Sequence, residues 1–200
     1  MQDSAAPVGV RRSRPGGRSE RVLRRIYEST LEILGEKGLP GVTFNDVAAA
    51  AEVNRSTLYR RWSDRNELVL DALMDSLATR IVPLATGDLD RDITAVLEQI
   101  GAYLTSRLGH AALIASLELT ARDTPTARRH IAGWQRRLRE LDPIFDLAVQ
   151  KGTLAPGFDR EVAWAMAGGA IYVRAIYGQP VDKEWLARVM SSWKALFLAG

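Results

Sequence analysis

The chain has 200 residues, 46% of them apolar and 26% charged, with a net charge of +3 and no cysteine. That is enough apolar material to fill a core, and the missing thiols exclude disulfides, thiolate metal sites and cysteine nucleophiles. No run of about 18 apolar residues escapes interruption by charge or glycine, and the N-terminus lacks an apolar signal segment, so a cytoplasmic protein without a membrane span is expected.

Positive charge is concentrated at one end. Residues 1–65 hold twelve Arg or Lys against eight Asp or Glu, whereas residues 66–200 hold fifteen against sixteen. Arg11, Arg12, Arg14, Arg18, Arg21, Arg24 and Arg25 form a dense run, the usual electrostatic footprint of phosphate binding. Residues 1–18, rich in Pro, Gly, Ser and Arg, have little to bury and are expected to form a disordered basic arm.

The first helix is expected to start near Ser19, because Leu23, Ile26, Tyr27, Thr30, Leu31 and Leu34 recur at steps of three and four. Gly38 stops it, and Leu39-Pro40-Gly41 makes a turn. Thr43 then caps a short second helix, with Asp46 completing a capping box and Phe44, Val47, Ala48 and Ala51 on its apolar face. Asn54 caps a third helix over 55–62, where Val53 and Leu58 can form a hydrophobic staple. Ser63 is the expected cap of a fourth helix carrying Leu68, Ala72, Leu73 and Leu77, ending before Pro83. Helical patterns continue over 90–108, 111–122, 125–151, 160–177 and 183–198, and Pro143 is expected to kink or split the long one. The fold class read from this order is all-α.

Residues 43–62 carry the function-bearing pattern, two short helices around a three-residue turn with small side chains at Ala48 to Ala51. The small residues let the helices cross closely. With Leu58 and Trp62 turned inward, Arg55, Ser56, Thr57, Tyr59 and Arg60 are left outward, a donor-rich face suited to a polyanion. Such a helix fits the major groove of double-stranded DNA. Arg55 is the candidate for a guanine edge, Ser56 and Thr57 for bases or phosphates, and Tyr59 and Arg65 for phosphates.

This segment resembles the DNA-binding domain of the TetR family, whose usual tail is Leu-Tyr, two residues, an aromatic, then a basic residue and Leu. The sequence supplies Leu58, Tyr59, Trp62, Arg65 and Leu68 in that register, and the resemblance covers roughly residues 19–70. It implies phosphate contacts for Tyr59 and Arg65, base or phosphate contacts for Arg55, Ser56 and Thr57, and a backbone contact for Thr43. Arg61 and Trp62 stand where His and Phe are commoner. Glu52 stands where the turn usually has Gly; if positive φ is needed there, Glu costs about 1 kcal/mol more than Gly. The resemblance divides the chain into the arm, a helix-turn-helix domain at 19–66 and a ligand-binding and dimerisation domain at 67–200. The function it implies is that of a transcriptional repressor released from its operator by a small, apolar or aromatic effector.

One recognition helix makes few base contacts, and a twofold dimer on a palindrome doubles them. Gly168, Gly169, Trp185, Val189, Trp193 and Leu196, on the last two helices, are the candidates for a homodimer interface by analogy with the family's four-helix bundle. Tyr103, Trp134, Phe145, Trp164, Tyr172 and Arg174 are candidates for the effector pocket that the resemblance implies. An enzyme is disfavoured: His110 and His130 are the only histidines, and no cofactor- or metal-binding motif stands out. A non-specific architectural DNA-binding protein without ligand control is the alternative; it would need only the basic arm and phosphate contacts.

Overall fold

The computed structural model describes residues 17–198, so residues 1–16 of the expected arm lie outside it. All regular structure among the described residues is helical, apart from one isolated antiparallel bridge between Leu154 and Leu198. The chain runs through α1 (Arg18–Lys37), a 3-10 turn (Leu39–Gly41), α2 (Phe44–Ala50), α3 (Arg55–Tyr59) and α4 (Arg65–Arg80). It continues through α5 (Leu89–Leu104), α6 (Arg107–Thr120), α7 (Pro125–Arg139), α8 (Asp142–Gln150), α9 (Arg160–Ile176) and α10 (Lys183–Phe197). The long helix expected over 125–151 is split into α7 and α8, with Pro143 in the first turn of α8, where its missing N–H leaves no gap.

Side-chain caps set most helix starts. Thr43, Asn54, Ser106, Thr124 and Asp159 each accept a hydrogen bond from an amide two or three residues on, an arrangement worth about 1 kcal/mol apiece. The break expected between 108 and 111 falls earlier, at Thr105 and Ser106, and two caps differ from the sequence reading. Gly17, not Ser19, occupies the cap position of α1. At α4 the cap is Asp64, whose Oδ1 accepts from Asn66 N at 2.7 Å and Glu67 N at 3.0 Å. Ser63 is displaced to the position before, where its amide and hydroxyl both donate to Glu67 Oε2 at 2.9 Å. A carboxylate accepts two amides at once, which a hydroxyl does less well, so Asp64 takes the cap.

One continuous apolar cluster runs from Ile26 on α1 to Trp193 on α10. α1 packs on α2, α4 and α6, while α5 lies against α6, α8, α9 and α10. α4 also packs on α7, so it joins the N-terminal bundle to the C-terminal one. The α5–α6 turn is tight enough that a Cβ on Gly109 would collide with the Tyr103 carbonyl. The loop after α4 is anchored by buried Asp92, which accepts from the Thr86 hydroxyl at 2.6 Å and the Gly87 amide at 3.0 Å. No helix among the described residues is long and apolar enough to cross a membrane.

Candidate functional site

The block from Thr43 to Trp62 folds as two short helices held by complementary local bonds. The Thr43 hydroxyl accepts from Asp46 N at 3.1 Å and donates to Asp46 Oδ2 at 2.6 Å, which closes the capping box at α2. Buried Ala48 and Ala51 leave room for the turn that follows. Glu52 sits there at φ 53°, the left-handed conformation, and Val53 N donates back to Ala48 O at 3.0 Å. Side chains with a Cβ are disfavoured at that φ by about 1–2 kcal/mol, and the exposed Arg25–Glu52 pair at 3.5 Å returns little of it.

α3 is shorter than expected, ending at Tyr59, with a turn carrying the chain to Trp62. The expected orientation holds: Leu58 and Trp62 are buried, while Arg55, Ser56, Tyr59 and Arg60 are exposed and Thr57 is half-buried. Tyr59 is 56% exposed, yet its ring meets buried Phe44 edge-on at 4.8 Å, so the phenol stands upright on α2. Arg55 lies back along the helix, with Nη2 donating to the Tyr59 hydroxyl at 3.4 Å. Ser56 is tied to the cap, its hydroxyl donating to Asn54 Oδ1 at 2.9 Å. The face therefore offers two guanidiniums and a phenol with no carboxylate on α3 itself. Donors of this kind suit phosphates and base edges.

Arg65 also bonds within the chain. Its Nη1 donates to three carbonyls before α2, those of Leu39, Pro40 and Val42, at 3.4, 3.2 and 3.3 Å. The side chain that the sequence assigned to a phosphate thus fastens the start of α4 to the turn before the helix-turn-helix. Trp62 is fastened similarly, with its indole Nε1 donating to Asp71 Oδ2 at 2.9 Å.

Two family models account for nearly all of this architecture. The model for bacterial regulatory proteins of the tetR family matches residues 26–72, and that for the tetracyclin repressor-like C-terminal domain matches residues 83–192. The chain belongs to the TetR family. It is a helix-turn-helix transcriptional regulator, as are its relatives. The HTH-type regulator YdeS of Bacillus subtilis is 27% identical over 190 residues, covering 93% of this chain and 94% of its own. AqdR of Rhodococcus erythropolis is 26% identical over 159 residues, covering 78% of this chain and 75% of its own. The fold matches that of a TetR regulator from Agrobacterium tumefaciens with TM-score 0.69 at 16% identity, over 88% of this chain and 95% of that one. The TetR-family regulator SCO0332 gives TM-score 0.72 at 23% identity, over 88% and 97%.

The TetR C-terminal domain holds a cavity of about 320 Å³ between α4, α5, α6, α7 and α9. Of the aromatic residues expected in a pocket, Tyr103, Trp134 and Tyr172 line it. Phe145 and Trp164 do not; they pack on each other at 5.1 Å in a separate aromatic cluster. Arg174 also lies elsewhere, its guanidinium 4.6 Å from the Trp185 ring centre. Sequence reasoning missed His130, which lines the cavity one helical turn before Trp134. The (i, i+4) spacing of the pair was the available signal.

Among the expected interface residues, Leu196 is 62% exposed and Trp185 and Val189 are half-buried. A Cβ built on Gly168 or Gly169 meets nothing within 4 Å, so these glycines serve no close approach inside the chain. Trp193 corrects the expectation. It is only 2% exposed, donates from Nε1 to Ala163 O at 2.9 Å and lies parallel to Phe145, because α10 turns Leu186, Met190 and Trp193 inward together.

Proposed function

We propose that this TetR regulator is a cytoplasmic repressor, not an enzyme, that binds a palindromic operator as a homodimer and is released by a small apolar or aromatic effector. Residues 19–66 serve as the DNA-binding unit and 67–200 as the effector and dimerisation unit. The observation that carries the reading is the outward face of α3, with Arg55, Ser56, Tyr59 and Arg60 exposed over a buried Leu58. In this reading Arg55 reaches a base edge, Ser56 and Thr57 take bases or phosphates, and Tyr59, Arg60, Arg65 and Thr43 grip the backbone.

Dimerisation is supported by α9. Val162, Met166, Gly169, Val173 and Ile176 follow at steps of four, three, four and three; Gly169 is half-buried and the four apolar side chains are exposed. That spacing makes one apolar seam along a helix, and a seam left open by its own chain gains most by pairing with a copy of itself. Effector control is supported by α4, which lines the cavity with Leu73 and Leu77 and holds Trp62 through Asp71. A ligand that shifts α4 shifts the helix-turn-helix with it. A hundredfold loss of DNA affinity requires about 2.7 kcal/mol of differential binding.

Fluorescence anisotropy at fixed salt tests the reading, with a palindromic duplex recovered by selection and a scrambled duplex of equal length. The expected result is two protomers per palindrome and at least 10³-fold weaker binding to the scrambled duplex. Equal binding to both would make this a non-specific architectural protein.

A further inference from the structure

The cavity's walls and its two buried polar atoms together describe a ligand. Leu73, Leu77, Leu104 and Leu113 supply aliphatic surface, and Trp134 and Tyr172 meet edge-on with ring centres 6.2 Å apart. Among the described residues that line it, none carries a formal charge. Arg80 lies behind the wall, 5.9 Å from the Tyr103 ring centre, with its Nε donating to the Ser76 hydroxyl at 3.1 Å, and Arg137 Nη2 donates to the Leu77 carbonyl at 3.4 Å. Two atoms of lining residues are sealed from solvent: His130 Nδ1 has no hydrogen-bond partner among the described residues, and Tyr103 Oη has the Ser76 hydroxyl beside it but no hydrogen bond of normal geometry. Orphaned buried polar atoms are uncommon in folded proteins, and at a cavity wall they mark where a ligand group completes the pairing.

Resting on the effector reading above, we infer that this cavity takes an uncharged planar aromatic molecule of one or two fused rings bearing a single hydroxyl or carbonyl, which pairs with Tyr103 Oη and His130 Nδ1. The volume, at the low end for ligand sites, sets the ring count. The Tyr103, Trp134 and Tyr172 rings offer contact surface to a planar aromatic group. A charged group would lose its hydration without gaining a counter-charge, so acids and amines are rejected. Burial acts in the same direction on the protein side. It lowers the His130 pKa, and it raises that of Tyr103 against the opposing pull of Ser76 and Arg80, so both present neutral groups near pH 7. A neutral imidazole nitrogen and a phenol each donate or accept, which accommodates either a hydroxyl or a carbonyl.

Calorimetric titration of the full chain with 2-naphthol, 2-methylnaphthalene and 2-naphthoate tests the assignment. The three share a ring system and differ in one group. 2-Naphthol is expected to bind about tenfold tighter than either of the others. Tyr103→Phe removes the phenolic oxygen, and His130→Leu removes the imidazole nitrogens; each is expected to cut the ratio of 2-naphthol to 2-methylnaphthalene affinity to threefold or less. Equal or tighter binding of 2-methylnaphthalene or 2-naphthoate to the unaltered protein overturns the inference, as does failure of all three to bind. Repeating the DNA titration with 2-naphthol present separates the two readings. Binding without loss of DNA affinity upholds the chemistry of the cavity and contradicts effector control.

Discussion

The indole Nε1 of Trp62 donates to the Asp71 carboxylate at 2.9 Å, which fastens the end of the helix-turn-helix to the first half of α4. Arg129 of α7 reaches the same carboxylate at 3.6 Å and Glu67 at 3.3 Å. Three elements therefore meet at one polar junction, and Arg129 immediately precedes His130 of the cavity wall on α7. Asp71→Ala leaves a buried indole N–H without an acceptor, and urea unfolding is expected to show a loss of about 1–3 kcal/mol. Asp71→Asn keeps an acceptor and is expected to recover most of it. An unchanged midpoint for Asp71→Ala would show that the junction contributes nothing.

Arg65 has a structural role beside the proposed phosphate contact. Its three carbonyl acceptors mean that Arg65→Ala should lower unfolding stability by about 1–3 kcal/mol even with no DNA present. Weakened DNA binding at unchanged stability would leave Arg65 with the phosphate role alone.

Residues of α10 separate by burial. Leu196→Asp, at an exposed position of the proposed interface, should yield folded monomers in sizing experiments. Trp193→Asp places a charge beside Phe145 and should abolish folding, since an unpaired buried charge costs several kcal/mol. A dimeric Leu196→Asp protein would move the interface elsewhere.

Burial holds His130 below its usual value of 6.5. The unfolded chain therefore takes up that proton at higher pH than the folded protein. The stability associated with the neutral ring is present above about pH 6.5 and is lost as pH falls below it. His130→Gln should flatten the dependence of the melting temperature on pH between about pH 5 and pH 7. An identical slope in both proteins would mean that His130 is solvated.

Much of the fold was legible because capping chemistry and apolar spacing are local. The helix order and the split at Pro143 follow from neighbours within a few residues. The α4 start was misread because Ser63 and Asp64 are both good caps, and only the geometry shows which one accepts two amides. The outward face of α3 was legible for a similar reason, since two buried positions one turn apart fix the rest. Roles set by distant partners were not. Arg65 finds its carbonyls more than twenty residues back in the chain. Periodicity places Tyr103, Phe145 and Trp164 on inward stripes alike, but it does not distinguish a stripe that meets another helix from one that meets a cavity. His130 looked idle because it lacks a second histidine, whereas its partner is the empty space beside Trp134.

Selection of duplexes from a random pool by the full chain, run in parallel with Arg55→Ala, tests the central claim most directly. The account predicts an enriched sequence with twofold symmetry, and loss of preference at one base pair per half-site in the variant, worth about 1–3 kcal/mol there. A pool with no enriched sequence, or an enriched sequence identical for both proteins, would contradict the assignment of α3 as the helix that reads DNA.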